Sequence, residues 1–346
     1  MLHFECDYTS GALDVVLKAL IDTNSEQTSG YGEDPHCEKA RAMIREKCGA
    51  ADADVHFVVG GTQANTTVIA AALRPFEGVL CADTGHINVH ETGAIEATGH
   101  KVLGLPNVDG KITAAQVEQA VTAQRSDASH EHIVRPAMVY ISHPTELGTL
   151  YTKEELVSLS NTCKELGLTL FLDGARLGYG LAAERDIDFA LLAKTCDAFT
   201  IGGTKVGLLF GEAIVLTNHS LKDCFRYHIK QRGGMLAKGR LLGVQFEALM
   251  QDDLYIDESA RANGFAQQLK DAFIQSGCKL YVDTVTNQIF PILSAAQLDH
   301  LSKDYQFSFM EKIDEKHSAV RFCTSVLTKK EEVEKLLMDI HNSAGN

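Results

Sequence analysis

The chain has 346 residues, of which 45% are hydrophobic and 23% charged, an ordinary globular composition. Acidic residues outnumber basic ones 46 to 32, giving a net charge of −14, which argues against a general nucleic-acid binder or a polybasic membrane anchor. No apolar run approaches the roughly 18 residues of a spanning helix, and the first ten residues, with Glu5 and Asp7, do not read as a secretory signal.

Asp34-Pro35 reads as an N-cap and first helical residue. The helix it opens carries Cys37, Ala40, Met43, Ile44 and Cys48 on one face and stops at Gly49. A short strand over about 55–59 runs into Gly60-Gly61-Thr62, and the next helix ends before Pro75. Strands follow over 78–83 and 101–105, separated by a glycine-containing stretch to Gly99. Thr113 with Gln116, and Thr152 with Glu155, have capping-box spacing and open helices on either side of a strand over 137–142. The second of these helices ends at Gly167. An apolar strand then closes on Asp173, and after a further helix a strand over 198–203 leads into Thr204-Lys205 and a last strand over 211–217. Alternating strands and helices predict an α/β fold with a mainly parallel sheet covered on both faces.

From about Lys238 the pattern changes to two long helical stretches and strand-like segments over 281–293, 307–313 and 319–326. A terminal helix, opened by Thr328 and Glu331, ends the chain. This predicts a large domain over 1–250 and a smaller α+β domain over 251–346. The nine cysteines are scattered and form no CxxC pair, so neither a disulfide framework nor a cysteine metal site is expected, and a cytoplasmic location is.

Polar residues at the carboxyl ends of parallel strands are the first candidates for chemistry. Gly60-Gly61-Thr62, between a strand and a helix, suits an anion, because glycines let the backbone approach and helix-start amides favour negative charge. It also reads as a plain tight turn. Asp173 points an acid into the crevice or caps a helix. Lys205 follows an apolar strand and two glycines, where desolvation lowers an amine pKa and favours a Schiff base; otherwise its head reaches water. His86 and His90 are four apart but lack the HExxH arrangement, so no metal is expected. An anion loop, an aspartate and a lysine 32 residues after it are together the parts that pyridoxal phosphate requires: a phosphate cradle, a partner for the ring nitrogen and a Schiff-base lysine.

Seven segments in order carry a resemblance over nearly the whole chain: Tyr31-Gly-Glu-Asp-Pro35, Gly60-Gly-Thr-Gln-Ala-Asn65, Asp83-Thr-Gly-His86, His143-Pro-Thr-Glu-Leu-Gly-Thr149, Asp173-Gly-Ala-Arg176, Thr204-Lys205 and Arg321-Phe-Cys-Thr. The chain resembles the low-specificity L-threonine aldolases, β-eliminating lyases among the fold-type-I pyridoxal-phosphate enzymes. The resemblance implies a pyridoxal-phosphate-dependent transferase-like fold and retro-aldol cleavage of L-threonine and L-allo-threonine to glycine and acetaldehyde. It implies that Lys205 holds the cofactor, Gly60, Gly61 and Thr62 bind its phosphate, Asp173 pairs with the ring nitrogen and His86 stacks on the ring. Arg176, which also touches the cofactor, and Arg321 take the substrate carboxylate, and His143 lies near the β-hydroxyl as a base or a positioning group.

The resemblance further implies a homodimer or homotetramer with shared active sites, to which Tyr31 contributes from a neighbouring subunit. The sequence departs from the family at Cys6, where a serine usually contacts the carboxylate, at Val206 and at Leu236. Lys230, Arg232 or Lys238 stands in for the positive charge lost at Leu236. The rivals are another pyridoxal-phosphate reaction on the same scaffold, such as β-elimination or phenylserine cleavage, and an inert interaction protein that has kept the fold.

Overall fold

In the computed structural model, which describes residues 1–343, the strands are β1 (Leu2–His3), β2 (Asp54–Val58), β3 (Glu77–Ala82), β4 (Lys101–Leu105), β5 (Arg135–Ser142), β6 (Thr169–Asp173) and β7 (Ala198–Gly202). They continue with β8 (Glu212–Leu216), β9 (Lys279–Val282), β10 (Gln288–Ser294), β11 (Tyr305–Gln306), β12 (Ser308–Lys312) and β13 (His317–Cys323). The last three residues of the expected 251–346 unit lie outside the described residues.

The central sheet has the order β2-β8-β7-β6-β5-β3-β4. Its pairs are parallel except where β8 runs against β7 and β2. Every residue of β3, β7 and β8 is buried, because helices cover both faces of the sheet. Each fully buried aliphatic side chain there contributes about 1.5–3 kcal/mol. One face packs Leu80, Ile141, Leu172 and Phe199 against flanking helices, and the other packs Val79, Tyr140, Phe171 and Ile214.

Local signals placed several helix ends as expected. Asp34 accepts from the Cys37 N–H (2.9 Å), and the helix Pro35–Cys48 ends at Gly49 with φ 58°. Both predicted capping boxes are present, at Thr113/Gln116 and Thr152/Glu155. The terminal helix, Lys330–Ser343, starts differently. Thr328 Oγ1 is engaged by the Ser325 N–H (2.8 Å), and Glu332 rather than Glu331 reaches back, to the Lys329 N–H (3.1 Å). The threonine closes its own preceding turn, so it is not available to the helix.

The C-terminal layer holds an antiparallel sheet of order β12-β13-β10-β9. The amino terminus returns to this layer: β1 pairs with β11, and Phe4 packs with Phe273, Phe322 and Leu336. This return carries residues 5–8 past the ends of the central strands.

Candidate active site

Five strands of the central sheet deliver polar groups to one end. Gly60 follows β2, His86 lies beyond β3, Ser142 ends β5, Asp173 ends β6 and Lys205 follows β7. Gly60, Gly61, Thr62, His86, Asp173, Arg176 and Lys205 all line one pocket, so the candidates read from the sequence converge there. A larger cavity in the C-terminal layer, beside Cys278, Ser294 and His317, has no such convergence.

The helix Gly61–Ala72 starts at the pocket, and its first amides have no carbonyl a turn earlier to bond. Gly60 is extended there and provides no side-chain cap. A Cβ at Gly60 or Gly61 would meet nothing within 4 Å, so both glycines face open space. Free amides, an open approach and the helix dipole make this an anion cradle.

Asp173 sits beyond the cradle. Its Oδ2 accepts from Tyr140 Oη (2.7 Å) and Asn65 Nδ2 (2.9 Å), and its Oδ1 from the Ala175 N–H (2.9 Å). Burial by itself would raise its pKa, but the nearby His86 and these hydrogen bonds outweigh burial and hold it below the usual carboxylate range. The tight path here depends on Gly174, where a Cβ would collide with the Thr200 carbonyl oxygen. His86 Nδ1 donates to Glu91 Oε1 (2.8 Å), which also accepts from Asn65 Nδ2 (2.8 Å). Burial opposes charge on His86, yet the Glu91 hydrogen bond and the Asp173 carboxylate raise its pKa.

Lys205 is the pocket's amine. Burial and the Arg176 guanidinium lower its pKa, while Asp7, Asp173 and Glu212 pull it the other way. Its Nζ lies 5.9 Å from the centroid of the Tyr8 ring. Glu212, at the start of β8, lines the same pocket, and burial pushes its carboxyl up to about 8 against the pull of Lys205.

Arg176 binds Asp7 in a fork, Nε to Oδ2 (2.7 Å) and Nη2 to Oδ1 (2.9 Å). Asn287 Nδ2 adds a third bond to Asp7 Oδ2 (2.9 Å). Among the described residues Nη1 of Arg176 has no partner, which leaves it for a ligand.

Arg321 is not part of the pocket lining. Its Nη2 donates to the Glu5 carbonyl oxygen (2.9 Å), and its buried Nε has no partner among the described residues. It acts electrostatically on Tyr8, the residue whose ring lies 5.9 Å from Lys205 Nζ. Cys6 is buried beside Tyr8 and does not line the pocket either. Tyr31 has φ 60° and is half exposed, with Lys230 Nζ 5.1 Å from its ring centroid; neither residue lines this chain's pocket.

His143 is placed apart from these residues. Its ring is buried against Gly180, outside the pocket lining, and neither ring nitrogen has a partner among the described residues. Burial and then Lys111 push its pKa down to about 4. Strand alternation accounts for the placement: Ser142, in register with Asp173, faces the site, so the next side chain turns away. Ser142 and Glu146 line the pocket instead.

Sequence reading missed Asn65, Tyr140, Glu91, Glu146 and Glu212. Asn65 and Glu146 lay inside motifs already singled out, and Glu212 directly follows the loop that carries Lys205, but only packing showed where their side chains point.

Comparison with known proteins agrees with this geometry. The β-eliminating lyase family model matches residues 4–296. The chain belongs to the β-eliminating lyase family. It is 32% identical to the low-specificity L-threonine aldolase of a Pseudomonas species, across 98% of this chain and 96% of that one. A solved structure of Leishmania major threonine aldolase superimposes with TM-score 0.97 at 43% identity, covering 99% of this chain and all (100%) of that chain. Aspartate aminotransferase from Thermus thermophilus, at 13% identity and TM-score 0.70 over 99% of this chain and 91% of that one, shares the fold alone. The architecture is that of the fold-type-I pyridoxal-phosphate enzymes, and the family's cofactor is pyridoxal phosphate.

The residues present fit that group. Open amides at a helix start suit its phosphate, an ionised buried carboxylate suits its ring nitrogen, and a desolvated amine suits its aldehyde. No helix among the described residues is long and apolar enough to cross a membrane.

Proposed function

We propose that this protein is a pyridoxal-phosphate-dependent aldehyde-lyase that cleaves L-threonine and L-allo-threonine to glycine and acetaldehyde. The observation that carries the reading is the meeting of the Lys205 amine, the Asp173 carboxylate and the Gly60–Thr62 cradle in one pocket. Bound there, pyridoxal phosphate supplies an electron-withdrawing ring that accepts the electrons released when the Cα–Cβ bond breaks.

The residues act as follows. The cradle amides and Thr62 hold the phosphate, and Lys205 provides the amine for attachment. Asp173, kept ionised, holds a proton on the ring nitrogen, and His86, fixed by Glu91, covers one ring face. Arg176 presents Nη1 to the substrate carboxylate while Asp7 fixes its plane, which sets the direction of the Cα–Cβ bond. Arg321 adds a second cation at the mouth.

We also infer that Tyr31 and Lys230 serve the site of a neighbouring subunit in a homodimer or homotetramer. Their distance from this chain's own pocket supports it, as does the exposure of Ile21, Tyr31 and Tyr227. Nine unpaired cysteines favour a reducing, cytoplasmic setting. A division near residue 250 remains our reading of the domains, with β1 added to the smaller one.

The test is product analysis of cofactor-loaded protein given L-threonine and L-allo-threonine separately. Equimolar glycine and acetaldehyde are expected; 2-oxobutyrate would move the protein to a different lyase reaction.

A further inference from the structure

Cleaving a β-hydroxy amino acid requires a group to take the hydroxyl proton, and the displacement of His143 leaves that role open. Glu146 is a carboxylate inside the pocket. It lines the pocket with His86, Asp173 and Lys205. Its Oε1 is fixed by two donors, the backbone N–H of His86 (2.8 Å) and Ser142 Oγ (2.6 Å). The described hydrogen bonds from other residues fall on Oε1, which leaves Oε2 for a ligand. Ser142 is in register with Asp173 on the adjoining strand, so Glu146 is anchored at the level of the group that serves the ring nitrogen.

We propose that Glu146 is the base that receives the proton of the substrate β-hydroxyl; this rests on the aldolase reading above. In the step, the O–H bond breaks and its proton passes to Glu146 Oε2. The O–H electron pair becomes the second bond of the aldehyde carbonyl as the Cα–Cβ bond breaks. The Cα–Cβ pair stays with Cα, which later takes up a proton to give glycine. Threonine thus yields glycine and acetaldehyde with no net change in protons.

The charged groups that share the pocket with Glu146 are His86, Asp173, Arg176, Lys205 and Glu212, and Tyr140, Tyr151 and Cys81 lie within its electrostatic reach. Burial raises the Glu146 carboxyl above its usual range, and the Ser142 and backbone hydrogen bonds offset part of that. A carboxylate whose basicity is raised accepts a proton more readily than a solvated one. The surrounding polar shell also supports the role, since Ser142 and the His86 amide hold one oxygen and orient the other.

The experiment uses Glu146→Gln, whose amide oxygen retains both donors, together with Ser142→Ala, in the cofactor-loaded protein. Three quantities are read: cofactor binding from absorbance, glycine affinity from the spectral change on titration, and the pH profile of L-threonine cleavage. For Glu146→Gln, cofactor and glycine binding should remain within about twofold of wild type while kcat falls about 10²–10⁴-fold. Ser142→Ala, which loses a donor to the carboxylate, should move the acidic limb of the kcat profile to higher pH. A Glu146→Gln enzyme within threefold of wild-type kcat, one that loses the cofactor, or an unmoved limb in Ser142→Ala overturns the assignment. If wild-type protein itself releases no glycine and acetaldehyde, the aldolase reading fails; if only the variants behave otherwise, this inference fails alone.

Discussion

On the sheet side of the pocket the Asp173 carboxylate and the His86 ring are already held by neighbours, and on the side facing the C-terminal layer a guanidinium donor is held back. Asp173 takes bonds from Tyr140, Asn65 and the Ala175 amide, and His86 is tied to Glu91. Across from them, Nη1 of Arg176 has no partner among the described residues; outside the lining, the buried Nε of Arg321 has none either. A wall whose groups are mutually satisfied is rigid before any ligand arrives. A wall with unspent donors carries a desolvation cost that an incoming carboxylate relieves. The first suits a resident cofactor and the second an exchanging substrate. On this view, damage to the sheet side should appear in the chemical step, and damage to the opposite side in binding.

Among substitutions that separate the two walls, Asp173→Ala gives the largest effect. It should lower kcat for L-threonine about a hundredfold or more, with a much smaller change in KM. It also removes the acceptor of Tyr140 Oη, while Asn65 Nδ2 keeps its bond to Glu91, costing about 1–3 kcal/mol in urea unfolding. A loss confined to KM would erase the distinction between the two walls. Arg321→Ala should raise KM about 10- to 100-fold with kcat little changed, the equivalent of one charge-assisted hydrogen bond. An unchanged KM would take Arg321 out of the carboxylate site.

His143 sharpens the comparison because it belongs to neither wall. A buried neutral histidine with a pKa near 4 takes up no proton until well below the pH at which the unfolded chain does. Its depressed value therefore supports the fold fully above pH 6.5 and loses that support as pH falls toward 4, on the order of 3 kcal/mol in all. His143→Asn should flatten this part of the pH dependence of unfolding while cleavage falls less than tenfold. An unaltered slope together with a hundredfold loss of cleavage would return His143 to the chemistry.

Residue spacing carried much of this architecture. The strand and helix alternation, the caps at Asp34, Thr113 and Thr152, and the polar groups closing β2, β6 and β7 were readable because each depends on neighbours close in sequence. Contacts made across the fold were not. The return of β1 to β11 brings Asp7 onto Arg176, 169 positions away. Asn65 reaches Asp173 over 108 positions. His143 shows a different limit: a motif fixes a residue's place in the chain, while strand parity decides its face.

The measurement closest to the central claim is borohydride reduction of the cofactor-loaded protein followed by peptide mapping. A single stable pyridoxyl label on Lys205 is expected, absent from Lys205→Ala, which should also show no measurable turnover. A label on another lysine, or full activity without Lys205, would contradict it.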